Sequence, residues 1–192
     1  MPTLYYVPII HSVEDYGSLR PAVKRAFTKQ RGRVVFDNLQ KEILEYWQIV
    51  EKRIDEAISD VQELIIYQDS LPIGNQEKIL TLFGHMLGDH SESPNFRLVK
   101  KLIDNGAVLT GTEDMNLVVE QLEIYQRAAE ALSMAEQAEI LDETRTRLDE
   151  ITKLRDKFIA KRIQNTLPES GKGILFIGRD HDVITELEKL PR

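Results

Sequence analysis

The sequence predicts an α/β fold dominated by helix. A small, mainly parallel β-sheet of about four strands is flanked by helices, with long helices forming an arm or bundle. Three observations carry this expectation. Short apolar runs with the composition of buried strands stand near both ends of the chain and twice between them. Almost everything else repeats with a helical period. The composition, 42% hydrophobic and 30% charged over 192 residues, is that of a globular protein rather than a disordered chain.

In chain order, residues 4–10 (LYYVPII) are rich in β-branched and aromatic side chains. Runs of this kind, apolar on both faces, suit buried parallel strands. Asp37 is placed to cap a helix in which Leu39, Ile43, Trp47, Val50, Ile54, Ile58 and Val61 recur at three- and four-residue steps. A second strand over residues 63–68 ends at Asp69-Ser70-Leu71-Pro72. Ile79, Leu82, Phe83 and Met86 make a shorter helix closed by Gly88 in a left-handed cap. Pro94 opens another, with Leu98, Val99, Leu102 and Ile103, and Gly106 stops it. A third strand over residues 106–110 ends at Gly111-Thr112-Glu113-Asp114.

From Asn116 to about Thr166 the helical pattern is almost unbroken. One stripe takes Leu117, Gln121, Tyr125, Ala128, Leu132 and Ala135, then Ile140, Thr144, Leu148, Ile151, Leu154, Phe158 and Ile163. At about 1.5 Å per residue a single helix of that length would exceed a domain diameter. The expectation is a hairpin, or a break near residues 133–139. The last strand, residues 173–178 (GILFIG), follows a Pro-Glu-Ser-Gly turn, and residues 183–190 form a short amphipathic tail helix. The chain thus reads as one domain, 1–192, with a helical arm or hairpin at about 116–165 inserted before the last strand.

Charge and composition narrow the function classes. Lys and Arg number 25 against 32 Asp and Glu, a formal net charge of -7. That balance argues against broad binding to nucleic acid or to an anionic membrane. The absence of cysteine excludes disulfides, thiolate metal sites, iron–sulfur clusters and cysteine nucleophiles. The start MPTLYYVPIIHS has neither a basic leader nor a long apolar core, and no apolar run approaches the ~20 residues of a membrane span. The expectation is a cytoplasmic, soluble protein with a small-molecule or peptide ligand, self-associating through its long helices.

In open α/β sheets ligands gather beyond the carboxyl ends of the strands. Each expected strand ends in polar, ionisable residues: His11-Ser12-Val13-Glu14-Asp15, then Asp69-Ser70, then Thr112-Glu113-Asp114, and finally Arg179-Asp180-His181-Asp182. Carboxylate and imidazole together can bind a divalent metal or act as general acid and base. A plainer reading exists for single residues, since Asp114 and Asp182 can serve as helix caps and a neutral His can simply be hydrogen-bonded at a strand end. His85 and His90 stand five residues apart across a glycine, which is not a metal pair on one helical face. No GxSxG, GxxxxGK[ST] or GxGxxG motif is present.

With these residues placed, the ends of the chain resemble the TraB/ChaN/erythromycin-esterase-like superfamily. Gly178-Arg179-Asp180-His181 after ILFI is similar to that group's late G-x-x-H element. The segment Arg155-Asp156-Lys157-Phe158-Ile159-Ala160-Lys161-Arg162-Ile163 resembles its helical R-D-x-x-M-A-x-x-I segment, and His11 its first-strand His. The Glu of the first-strand G-E-x-H form is absent, and the chain is shorter than typical members. The resemblance implies a hydrolytic site. His11 or His181 would be general base or metal ligand, Asp69 and Glu113 would hold metal or orient the His, and Arg155 would steady an oxyanion or a neighbouring carboxylate. The expected catalytic set is His11, His181, Arg155 and Glu113. The expected metal set is His11, Glu14, Asp69, Glu113 and His181, holding Mn, Zn or Fe. The alternative is a non-catalytic binding or assembly module on the same fold, or a degenerate enzyme fold kept as a scaffold.

Overall fold

The computed structural model describes residues 2–191 and, within them, every side chain except those of Ser18, Leu19 and Asp89. Four strands, β1 (Thr3–Ile9), β2 (Ile65–Pro72), β3 (Val108–Glu113) and β4 (Lys172–Gly178), form one parallel sheet in the order β1-β4-β2-β3. Seven α-helices accompany them among the described residues: α1 (Arg20–Arg31), α2 (Arg33–Ala57), α3 (Gln76–Asp89), α4 (Pro94–Asp104), α5 (Met115–Ala129), α6 (Met134–Thr166) and α7 (Val183–Glu188). A 3-10 turn, Val13–Leu19, links β1 to α1. The helix-dominated α/β class read from the strand runs and the helical period is the class observed. No helix among the described residues is long and apolar enough to cross a membrane.

The strand order explains which helix lies where. The connections β1 to β2 and β2 to β3 step across the sheet in one direction, and right-handed crossovers therefore carry α2, α3 and α4 over the same face. The connection from β3 back to β4 steps the other way, which puts α6 on the opposite face. Ile43, Trp47 and Ile54 of α2, Phe83 of α3 and Phe96 and Val99 of α4 pack with Ile66, Leu109, Ile174 and Phe176 of the strands on the first face. Ile159, Ala160 and Ile163 of α6 and Val183 pack with Tyr67, Leu175 and Ile177 on the second. Each such fully buried side chain contributes roughly 1.5–3 kcal/mol, so the larger first cluster anchors the sheet. Segments leaving neighbouring strands depart to opposite faces, and this opens a crevice along the carboxyl edge.

Several local expectations are corrected. β2 and β3 run on through the residues read as their closing loops, so Asp69 and Glu113 belong to the strands. The extension needs a bulge between Gln68 and Pro72, where Ser70 takes a φ of 62°. Gly88 lies inside α3, and His90 caps that helix instead. Gly32, with φ 90°, separates α1 from α2, so α2 begins before Asp37. Helix α1 answers to no expected element. Its mean hydropathy is low and it buries no residue, its apolar positions being mostly alanine and valine.

The long helical stretch divides at residues 130–133, where Ser133 caps α6 by accepting from Glu136 N at 3.2 Å. Helix α5 returns along α6, tied by Arg147 to Glu120 at 2.6 and 2.8 Å. The expected stripe of α6 holds at Ile140, Ile151 and Ile163, which are buried, and the buried face departs from it between the last two: Leu154 is 43% exposed, whereas Arg155, Asp156, Ile159 and Ala160 are buried. On α5, Tyr125 likewise faces outward and Leu132 beyond it is 97% exposed.

Candidate functional site

Two neighbouring residues of α6 organise the carboxyl edge. Arg155, whose side chain is 5% exposed, reaches the ends of β2 and β3. Its Nε and Nη2 donate to Oε2 and Oε1 of Glu113 at 3.1 and 2.6 Å, a bidentate pair, and Nη2 also donates to Asp69 Oδ1 at 2.7 Å. Nη1 donates to Gln121 Oε1 of α5 at 2.6 Å. Burial opposes charge on all three ionised groups, but the ion pairing prevails for two of them. Arg155 holds its proton more tightly than usual through Glu113, and Asp69 lies below its ordinary carboxylate range through Arg155 and His181. Glu113 lies above its ordinary range, because burial with a second carboxylate beside it outweighs the guanidinium. One cation therefore serves two buried acids.

Asp156 points to the other side of the same turn. Its Oδ1 is hydrogen-bonded to His181 Nδ1, and its Oδ2 accepts from Asp182 N at 2.9 Å. Opposite a carboxylate acceptor the proton is assigned to Nδ1, which leaves Nε2 with its lone pair. Nε2 has no hydrogen-bond partner among the described residues, and the imidazole side chain is 8% exposed. Tyr6 of β1 donates its hydroxyl to the carbonyl of His181 at 3.2 Å. Burial and the surrounding Asp156, Asp182 and Asp69 raise its phenol above the ordinary value, so it stays a donor.

Gly178 brings the two arrangements together. Its N–H donates to Asp69 Oδ2 at 3.0 Å, and a Cβ there would stand 3.3 Å from that oxygen and 3.5 Å from the His181 ring. A side chain there would crowd the Asp69 carboxylate by a few tenths of an ångström, so glycine lets β4 run this close to Asp69 without displacing it. The strained Ser70 contributes its backbone N–H to Glu113 Oε1 at 3.4 Å.

His11 and Glu14 occupy a separate position on the same edge. His11 follows β1, whose Ile9 pairs with Gly178, so both histidines stand beyond neighbouring strands. His11 is 58% exposed, and its Nδ1 lies 3.6 Å from Asp15 Oδ2. That bond raises its pKa, with burial opposing and the charge of Asp69 adding to the rise. Asp15 is the anchor here: it accepts from Ser12 N at 2.6 Å and from the hydroxyl of Ser93, the cap of α4. Its pKa is lowered by His11, Ser93 and Ser12 against the cost of burial. Glu14 is half-buried and forms no side-chain hydrogen bond or ion pair among the described residues.

The expected metal set of His11, Glu14, Asp69, Glu113 and His181 is not assembled. Among the described residues no three His, Asp or Glu side chains are placed to share a metal ion. The reason is chemical: the Arg155 guanidinium stands where a cation between Asp69 and Glu113 would stand, and Asp156 holds Nδ1 of His181. These donors do not fit a Mn, Zn or Fe centre. Of the expected catalytic set, Arg155, Glu113 and His181 come together and His11 stands apart. Arg155 spends its donors on protein acceptors, so it steadies carboxylates rather than an oxyanion. Asp114 and Asp182 act as caps, accepting from Asn116 N at 3.0 Å and Thr185 N at 3.3 Å.

The residues not singled out for the site are Asp156, Tyr6 and Gln121. Asp156 carried a signal, as the acidic half of a charged pair interrupting the Ile151, Ile159, Ile163 stripe. Beside Asp156 runs a groove of about 750 Å3 between α5, α6 and α7, lined by Asp180 and Asp182 on either side of His181 in the chain but not by the imidazole itself. Asp156 lines it, with Tyr125, Leu148, Lys157, Asp182 and Lys189, so it offers both signs of charge beside apolar surface. Comparison of the chain with protein-family models, with curated proteins and with solved structures finds no match.

Proposed function

We propose that the carboxyl edge of the sheet is a metal-free hydrolytic site acting in the cytoplasm, with His181 as general base. The observation that carries this reading is the buried Asp156 carboxylate on His181 Nδ1, which leaves Nε2 without a protein partner. In the proposed reaction Nε2 takes a proton from a water as that water attacks an electrophilic carbon or phosphorus of the ligand. The imidazolium so formed is stabilised by Asp156 and by the nearby charge of Asp69. The bond to the leaving oxygen or nitrogen then breaks as that atom takes the proton from the imidazolium. Arg155 and Glu113 are positioning residues, fixing Asp69 and the pitch of α6. The groove beside Asp156 suits a ligand with both polar and apolar parts, such as a peptide or ester. The resemblance to the TraB/ChaN-like group supports the same assignment, since its R-D and G-x-x-H segments supply Arg155, Asp156 and His181.

The test has two arms. Nuclear magnetic resonance of isotope-labelled histidine is expected to find His181 protonated on Nδ1 with Nε2 free at neutral pH, and the opposite tautomer would overturn the dyad. Screening of chromogenic esters, amides and phosphoesters is expected to find turnover abolished in His181→Gln. Asp156→Asn should lower it by roughly 10²–10⁴-fold, as expected when a base loses the carboxylate that sets its tautomer. Turnover unchanged in His181→Gln would reject the assignment. The second reading, an assembly or binding module, is favoured by Leu132 and Met134 at the α5–α6 turn, exposed by 97% and 78%.

A further inference from the structure

The net charge of the chain conceals a strong segregation. Residues 16–36 hold six cations, Arg20, Lys24, Arg25, Lys29, Arg31 and Arg33, and no carboxylate. The remainder therefore carries 19 cations against 32 carboxylates. This basic segment is α1 with its junction to α2. Helix α1 buries no residue, and its principal neighbours are the 3-10 turn and α2. Among the described residues only Arg33 of the six forms an ion pair, with Asp37 at 3.6 Å, while Lys24 lies 5.4 Å from the centre of the Phe36 ring. Helix α1 is thus a largely unneutralised basic rod held by an edge contact between Phe27 and Phe36 at 5.6 Å.

Its apolar residues decide what such a rod fits. At 100° per residue, Arg25 and Lys29 fall on one side of an arc of Ala22, Ala26, Gln30 and Val23, and Arg20, Lys24 and Arg31 on the other. Ala22 and Ala26 are exposed, and at the Gly32 junction Val34 and Val35 are exposed by 72% and 51%. A nucleic-acid backbone would complement the cations but offers nothing to the aliphatic pair. The headgroup boundary of a bilayer takes both, with long cationic side chains reaching anionic headgroups while the valines enter the acyl boundary. The acidic remainder of the chain would be repelled by the same surface, which orients the molecule with α1 toward it. We propose that α1 and the Gly32 junction form a docking surface for an anionic membrane, which the protein approaches peripherally.

The experiment is co-sedimentation of the full-length protein with vesicles of phosphatidylcholine alone and of phosphatidylcholine with phosphatidylserine. Binding is expected only to the anionic vesicles, falling as salt is raised. Each cation near such a surface is worth roughly a five-fold change in partitioning, so Lys24→Glu/Arg25→Glu/Lys29→Glu should weaken binding by at least on the order of a hundred-fold. Because none of these side chains is buried, that variant should melt close to the wild type, losing only the Lys24 contact with the Phe36 ring. Val34→Ser/Val35→Ser should weaken binding several-fold and leave its salt dependence unchanged. Absence of binding to anionic vesicles, equal binding by the triple variant, or tighter binding to duplex DNA or RNA than to vesicles would each overturn the proposal. None of these readouts depends on His181.

Discussion

Replacing Arg155 by Met tests whether the carboxyl edge is held by a true buried charge cluster. The side chain is 5% exposed, and its partners Glu113 and Asp69 are 0% and 15% exposed, so solvent cannot take over the role of the guanidinium. Methionine keeps the length and apolar stem but leaves two carboxylates without a counter-charge. Breaking a buried pair in this way costs about 3–5 kcal/mol. For a chain of this size each kcal/mol is worth about 2–4 °C, so the midpoint should fall by roughly 6–20 °C. Thermal melts followed by circular dichroism across pH 4–8 separate this from loss of packing. In the wild type, Asp69 lies below its ordinary pKa, so its stabilisation is present above the unfolded value and is lost as pH falls through the folded one. Glu113 lies above its ordinary value and has the opposite sign: its contribution is full below the unfolded pKa and declines as pH rises through the folded one. Without Arg155 both acids move upward, so the deficit of Arg155→Met should shrink as pH is lowered and both become protonated. A loss below about 3 °C, or one that does not change with pH, would refute the reasoning.

Other perturbations probe other joints. In Gly111→Ala the new Cβ would stand 1.9 Å from the carbonyl oxygen of Pro72, so β2 and β3 must separate at the bulge. Denaturant titration should show a cost at or above the roughly 1–3 kcal/mol of ordinary overpacking. Ser93→Ala removes both the cap of α4 and the hydroxyl bound to Asp15, and the same titration should register about 1–3 kcal/mol. For His11 the raised pKa means that its stabilisation is full below the ordinary imidazole value and is lost as pH rises through the folded one. Since the ring is mostly exposed, the effect is below about 1 kcal/mol. Wild type should show that small decline above about pH 6.5, and His11→Ala should not.

The parts of this fold that could be read from the chain are those where one face of an element is uniformly apolar. ILFI in β4 and the Ile43, Trp47, Ile54 row of α2 are of this kind, and both are buried as expected. The expected ends of β2 and β3 fell short because Asp69 and Glu113 look like loop residues. Only Arg155, 86 and 42 residues away in the chain, makes it tolerable to keep them in strands. The stripe expected on α6 holds at Ile151 and Ile163 but slips between them for the same reason. A stripe that admits only apolar residues passes through Leu154 and Phe158, whereas the buried one passes through Arg155 and Asp156. Charged pairs satisfied by distant partners have no local signature, and the site is built almost wholly from them. Its strand-end positions were legible from the sheet rule and Arg155 beside a carboxylate from the family resemblance, but not that the guanidinium would stand between Asp69 and Glu113 in place of a metal.

Helix α6 has a mechanical consequence. Arg155 and Asp156 are consecutive, so about 100° of turn separates a side chain locked to β2 and β3 from one that aims the imidazole after β4. Neither can be adjusted without the other. Side chains ride about 5–6 Å from the helix axis, so a twist of only ~10° sweeps them through about 1 Å. A displacement of that size can cost a catalyst on the order of a hundred-fold. Helix α6 thus behaves as a torsion shaft and Arg155 as the key that stops it turning. The 33-residue shaft extends back to Met134, and α5 grips its far half by Arg127 on Glu143 and by Glu120 on Arg147. Torque applied at that far turn is delivered to the aim of His181.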